Sequence, residues 1–205
     1  MSEFSPSVAA LRGRFGEAIT RAVISCGDTI VYVAVERVHE VLAFLRDDPE
    51  QQFNYLTDIT AVEYRDAGRP LEVVWQLRSL GRKADLRVKV ELPQAGALVV
   101  PSVFDLWKGA DWLEREVYDL FGVTFTGHPD LRRLLMWETY AEGHPLRKDF
   151  PLRGHFSRAE QTRQALAANP EAHYSLEELS IAAAYDELPA DMKDRLAQGE
   201  RGSVK

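Results

Sequence analysis

Leu86-Arg87-Val88-Lys89-Val90-Glu91-Leu92 alternates apolar and charged side chains without a break. Successive side chains of a strand point to opposite faces, so this segment reads as a strand with one dry face and one wet face. That pattern belongs to a half-exposed, mostly antiparallel sheet. Two neighbours extend it. Leu71 to Leu80 puts Leu71, Val73, Trp75 and Leu77 on one face, and Phe53 to Tyr64 reads as a further strand. The connections Arg65 to Pro70 and Gly81 to Asp85 are short and polar, as hairpin or meander loops should be.

Upstream, Ala22 to Cys26 and Thr29 to Val35 are β-rich runs around Gly27-Asp28, which predicts a hairpin with a tight turn there. Val8, Leu11, Phe15 and Ile19 fall near helical spacing after Ser5-Pro6, and predict an opening helix. Val38, Val41, Leu42 and Leu45 repeat at i, i+3, i+4 and i+7 before Asp47-Asp48-Pro49 stops the pattern. The expected fold is α+β: a mostly antiparallel sheet flanked by helices over residues 1–152, then an irregular, partly helical C-terminal extension over 153–205. In that extension Ser157 and Ser175 each precede a Glu by three residues, a capping-box signal, and Gln198 to Lys205 is expected to fray.

Composition narrows function by exclusion. Twenty-five basic residues against 32 acidic ones, dispersed along the chain, argue against a nucleic-acid partner. Met1 to Arg14 shows no apolar run of signal-peptide or membrane-spanning length, so a cytoplasmic chain is expected. The single Cys26 cannot supply a four-thiolate cluster, and reads as a small hydrophobe in a strand.

Downstream, Asp111 and Glu114 are spaced to cap a helix whose stripe is Leu113, Val117, Leu120 and Phe121, with Gly122 ending it. Arg115 and Asp119 lie one turn apart and can pair along its surface, so physics alone favours a solvated helix face. Gly143-His144-Pro145-Leu146-Arg147 reads by itself as a rigid turn.

Taken as wording, however, the run from Asp111-Trp112-Leu113-Glu114-Arg115-Glu116-Val117-Tyr118-Asp119-Leu120-Phe121-Gly122 through Gly127-His128-Pro129-Asp130-Leu131-Arg132-Arg133-Leu134-Leu135 resembles the signature of the C subunit of NADH:quinone oxidoreductase, the complex I 30 kDa family. Gly143 to Pro151 resembles the block that follows that signature, and weaker similarity reaches back through Leu56 to Val62. The resemblance covers most of the first 152 residues and is not carried past Arg153.

The resemblance implies a subunit without catalytic, cofactor-binding or metal-binding residues of its own. FMN and iron–sulfur clusters would sit in partner subunits, chiefly the quinone-site (D) subunit and the iron–sulfur (B and I) subunits around it. It implies a peripheral place on the cytoplasmic face of the bacterial inner membrane, within an enzyme that passes electrons from NADH to quinone and pumps protons. Glu114, Arg115, Glu116, Asp119, His128, Arg132, His144, Arg147, Lys148 and Asp149 are then the candidates for partner contacts, because Arg in particular binds carboxylates in a bidentate fork. An equivalent subunit of a membrane-bound hydrogenase or other dehydrogenase complex is the alternative. A metal enzyme built on His128, His144, Glu114, Glu116 and Asp119 lacks any ligand spacing to support it, and no phosphate-binding glycine motif is present. A free-standing adaptor would expose little apolar surface, whereas Trp107, Trp112 and Trp137 crowd the signature.

Overall fold

A computed structural model describes residues 5–64, 68–93, 96–137 and 139–168. Helix α1 (Pro6–Phe15) starts on a proline, whose missing N–H costs nothing there, and buries Val8 and Leu11. Ile19 does not continue that helix. Gly16 turns the chain at φ 52°, and Ile19 opens β1.

Strands β1 (Ile19–Ser25) and β2 (Asp28–Val33) form the expected hairpin, but its two-residue turn is Cys26-Gly27, one position earlier than predicted. Cys26 and Gly27 have φ of 51° and 92°, the doubly positive pair that a type I′ turn demands. Cys26 is therefore an exposed turn residue and not a strand hydrophobe.

Helix α2 (Val38–Asp47) buries Val38, Val41, Leu42 and Leu45 completely and ends before Pro49. Strands β3 (Tyr55–Val62), β4 (Leu71–Ser79) and β5 (Ala84–Leu92) follow as antiparallel neighbours. The five-stranded sheet runs β1-β2-β5-β4-β3, so β2 and β5 meet in parallel and the sheet is mixed. Its dry face carries Val31, Ile59, Val73, Trp75, Leu77, Val88 and Val90 into one apolar core with α1 and α2. The fold is α+β, as expected.

The second face is not uniformly wet. Glu72 on β4 and Lys89 on β5 are buried there, 1% and 9% exposed. Lys89 Nζ donates to Glu72 Oε2 at 2.6 Å and the Tyr64 hydroxyl donates to the same oxygen at 2.8 Å. Arg21 stacks over Tyr32 and Arg69 over Tyr64, roofing the pair with ring and guanidinium. Alternation predicted which residues share that face, but not that its middle would be dry.

A short parallel ribbon of β6 (Val99–Pro101) and β7 (Thr124–Thr126) brackets helix α3 (Ala110–Phe121). A second unit of the chain begins at Phe156. In it α4 (Arg158–Ala168) begins as the capping signal predicted, with the Glu160 amide donating to Ser157 Oγ at 3.3 Å. The Ser175 signal and the Gln198–Lys205 segment lie outside the described residues.

Candidate functional site

Helix α3 is the element on which the site is built. Its stripe is as predicted, with Val117 and Phe121 buried and Leu113 and Leu120 packed on the core. Its polar positions are not. Asp119 and Glu114 are fully buried and Arg115 is 5% exposed, so the expected solvated face does not exist.

Asp111 makes no side-chain cap. Glu114 turns instead into the loop after β6, where Ser102 Oγ donates to its Oε2 at 2.6 Å and the Val103 amide to its Oε1 at 2.7 Å. Burial is the largest influence on this carboxyl and the two hydrogen bonds oppose it. Like charges on Asp105 and Asp111 add to burial, and the group is pushed up to about 7.

Arg115 and Asp119 do not pair with each other; each organises the irregular segment that follows β7. Arg115 donates from Nε to the Arg132 carbonyl and from Nη2 to the Arg133 carbonyl, at 3.3 and 3.1 Å. Asp119 Oδ2 accepts the amides of Leu134, Leu135 and Met136 at 3.0, 2.7 and 2.8 Å, and its Oδ1 accepts Arg133 Nη1 at 2.7 Å. Burial works against the ionised form of Asp119. The Met136 amide, the Arg133 guanidinium and the Leu135 and Leu134 amides together outweigh it and hold the carboxyl below its ordinary range.

The second block closes on the same point. His144 Nδ1 lies 2.9 Å from the Asp119 carbonyl, Arg133 Nη2 donates to the Gly143 carbonyl at 3.1 Å, and the Leu146 amide donates to the Leu120 carbonyl at 3.0 Å. Gly122 ends α3 at φ 79° directly beneath the imidazole of His144. Arg147 and the Lys148 amide then reach Glu63, just past β3, at 3.2 and 2.6 Å. The Arg147 contact is close but poorly aligned, because its Nε lacks a well-formed hydrogen bond.

His128 sits apart from this cluster. The Asp130 amide donates to its Nδ1 at 3.1 Å, so the hydrogen falls on Nε2, which faces the Asp111 carbonyl at 3.2 Å. That leaves Glu116, Arg132, Lys148 and Asp149 exposed among the predicted site residues, Arg132 with its Nε on Asp130 at 2.8 Å. Large apolar side chains are exposed along the same stretches of chain: Trp112, Leu135, Leu146 and Leu152. Leu146 and Leu152 line an open groove of about 770 Å³ with Arg147, Lys148 and Phe150. No group of three or more potential metal ligands occurs among the described residues. Sequence reading missed Glu63, Ser102 and Arg133, whose site partners lie 10 to 85 positions away.

Known proteins share both the wording and the fold. The family described as "Respiratory-chain NADH dehydrogenase, 30 Kd subunit" matches residues 31–156, from β2 through both blocks. The C subunit of NADH-quinone oxidoreductase from Brucella ovis is 46% identical over 144 residues, 70% of each chain. Its namesake from Rhodopseudomonas palustris is 40% identical over 154 residues, 75% of this chain and 76% of that one. Among solved structures, a chain of the membrane-bound sulfane sulfur reductase, an archaeal respiratory membrane complex, shares the fold with a TM-score of 0.60 at 20% identity, covering 80% of this chain and 91% of that one. Because the matched span takes in α3, the 131–150 segment and the sheet that carries them, the chain belongs to the respiratory-chain NADH dehydrogenase 30 Kd subunit family.

Proposed function

We propose that this chain is a structural subunit of the peripheral arm of a proton-pumping NADH:quinone oxidoreductase, held on the cytoplasmic side of the bacterial inner membrane by its partner subunits. It contributes geometry. The FMN and iron–sulfur clusters that carry electrons from NADH to quinone belong to those partners, chiefly the quinone-site (D) subunit with the iron–sulfur (B and I) subunits beside it. The C-terminal extension, residues 153–205, docks on partner subunits too, and α4, which buries no residue of its own, supports this.

The observation that carries the reading is the division of labour in the two motif blocks. Glu114, Arg115, Asp119, His144 and Arg147 are spent on holding the chain's own loops, which makes them shapers of a surface. Glu116, Arg132, Lys148 and Asp149, with the exposed Trp112, Leu135, Leu146 and Leu152, are that surface. Exposed apolar side chains rimmed by charge mark protein interfaces. Relatives at 40–46% identity, named as C subunits of NADH-quinone oxidoreductase, favour this enzyme over a hydrogenase-type complex.

The test is a Leu146→Asp/Lys148→Glu chain expressed in a host lacking its own copy. Both positions are exposed, so the free chain should keep its melting temperature within about 2 °C. The NADH-reactive band on a native gel should fall at least about tenfold, as the loss of hot-spot contacts requires. Unchanged assembly would remove this surface from the interface.

A further inference from the structure

Glu114 lies in the second turn of α3 with no exposed surface, and no described cation pairs with it. The charged groups of the elements packed there are committed or of the wrong sign: Lys108 Nζ sits over the Phe104 ring at 3.9 Å, and His128 Nε2 faces Asp111 Oδ1 at 3.3 Å. Asp111, from the first turn of α3, and Asp105, from the 102–106 loop, are acidic. His39 of α2 is bound to both oxygens of Asp105 at 3.0 Å. Arg46 of α2 is spent on Asp47 and on the carbonyls of Asp105 and Leu106. Arg115, next along the helix, points to the Arg132 and Arg133 carbonyls.

A buried carboxylate without a cation is among the costliest arrangements in a protein, and such groups neutralise instead. Two donors aimed at the carboxyl favour its ionised form, but burial outweighs them, and the same geometry holds the neutral acid once the Ser102 hydroxyl turns from donor to acceptor. Oε1 can act as the carbonyl oxygen that accepts the Val103 amide at 2.7 Å, and the proton can sit in the 2.6 Å contact between Oε2 and Ser102 Oγ. Ser102 Oγ also accepts the Phe104 amide at 3.2 Å, so three residues of the loop hang on one side chain.

We propose that Glu114 is a proton-gated clasp: closed, it is a neutral acid whose Oε2–H donates to Ser102 Oγ while Oε1 accepts from Val103, and loss of that proton releases the 102–106 loop from α3. The proton leaves to solvent water, and the carboxylate gains hydration only by parting from the loop. The environment that places this carboxyl at about 7 sets the gate in the neutral range. Through Asp105, Leu106 and Trp107 the same loop is tied to α2 and, by the Trp107 indole donating to the Asn54 carbonyl at 3.3 Å, to the approach to β3. Opening the clasp therefore loosens α3 from the sheet.

The full chain, labelled with ¹³C at glutamate side-chain carboxyls, is titrated by NMR from about pH 5 to 9, a range chosen to bracket ordinary and raised carboxyls. The resonance missing from Glu114→Gln should move with a midpoint within about one unit of 7. Exchange protection of the Val103 and Phe104 amides, corrected for intrinsic pH dependence, should fall roughly tenfold across that step. In Glu114→Gln, whose amide keeps both hydrogen bonds, the corrected protection should stay flat. A midpoint below about 5, where ordinary carboxyls titrate, overturns the proposal, as does flat protection in the wild type. If the glutamine chain fails to fold, the wild-type resonance is assigned through its contact to the Val103 amide and the same two readouts decide.

Discussion

A β-carbon added to Gly122 would lie 2.6 Å from His144 Cδ2, so the residue that ends α3 in one motif block is the seat of an imidazole in the other. The helix end needs a left-handed residue there, at φ 79°, and the histidine needs the empty space above it. Gly122→Ala should cost on the order of 2 kcal/mol or more in urea denaturation, from backbone strain plus displacement of His144. In a His144→Ala background the same change should cost less, and that coupling in a double-mutant cycle separates the clash from the strain.

Asp119 gathers three backbone amides and one guanidinium onto a single buried carboxylate. Asp119→Ala strands all of them, and should cost about 3–5 kcal/mol. Because the folded carboxyl is held below its ordinary 3.8, its contribution is present in full above that pH and is lost as pH falls through the lower folded value. An Asp119→Asn chain should accordingly show a flatter loss of stability on acidification below about pH 4 than the wild type, measured by thermal melts.

The Lys89–Glu72 pair offers a different arithmetic. Lys89→Met alone leaves buried Glu72 with only the more distant Arg69, 3.9 Å from its Oε1, and should destabilise by about 3 kcal/mol. The double replacement Lys89→Met/Glu72→Leu removes both charges and should recover most of that loss, as chemical denaturation of the three chains would reveal. The Tyr64 hydroxyl, left without its acceptor, sets how complete the recovery is.

Cys26 occupies the first position of a type I′ turn at φ 51°, a conformation that asparagine adopts readily and cysteine does not. Cys26→Asn should raise stability by about 0.5–1 kcal/mol, seen as a higher melting temperature with no change in spectra.

These features differ in how far the amino-acid order reveals them. Helix α2 and strands β4 and β5 are legible because their signal is local: an apolar period of 3.6 or 2 is written in adjacent residues. The parallel pairing of β2 with β5 is not, since nothing in either strand says which neighbour it takes. Asp111 and Glu114 carry capping-box spacing, yet Ser102 and Val103 claim the glutamate, and tertiary contacts win over the local rule. Arg115 and Asp119 have the spacing of a surface pair, yet each faces the segment 14 to 18 residues onward. The motif wording points to the right family without revealing that its charged residues mostly hold the chain to itself.

Affinity purification from the native host in mild detergent tests most directly whether this chain is a fixed part of a larger enzyme. NADH:quinone reductase activity and iron–sulfur signals should travel with the tagged chain. A lone, colourless monomer recovered from membranes that retain the active complex would contradict that placement.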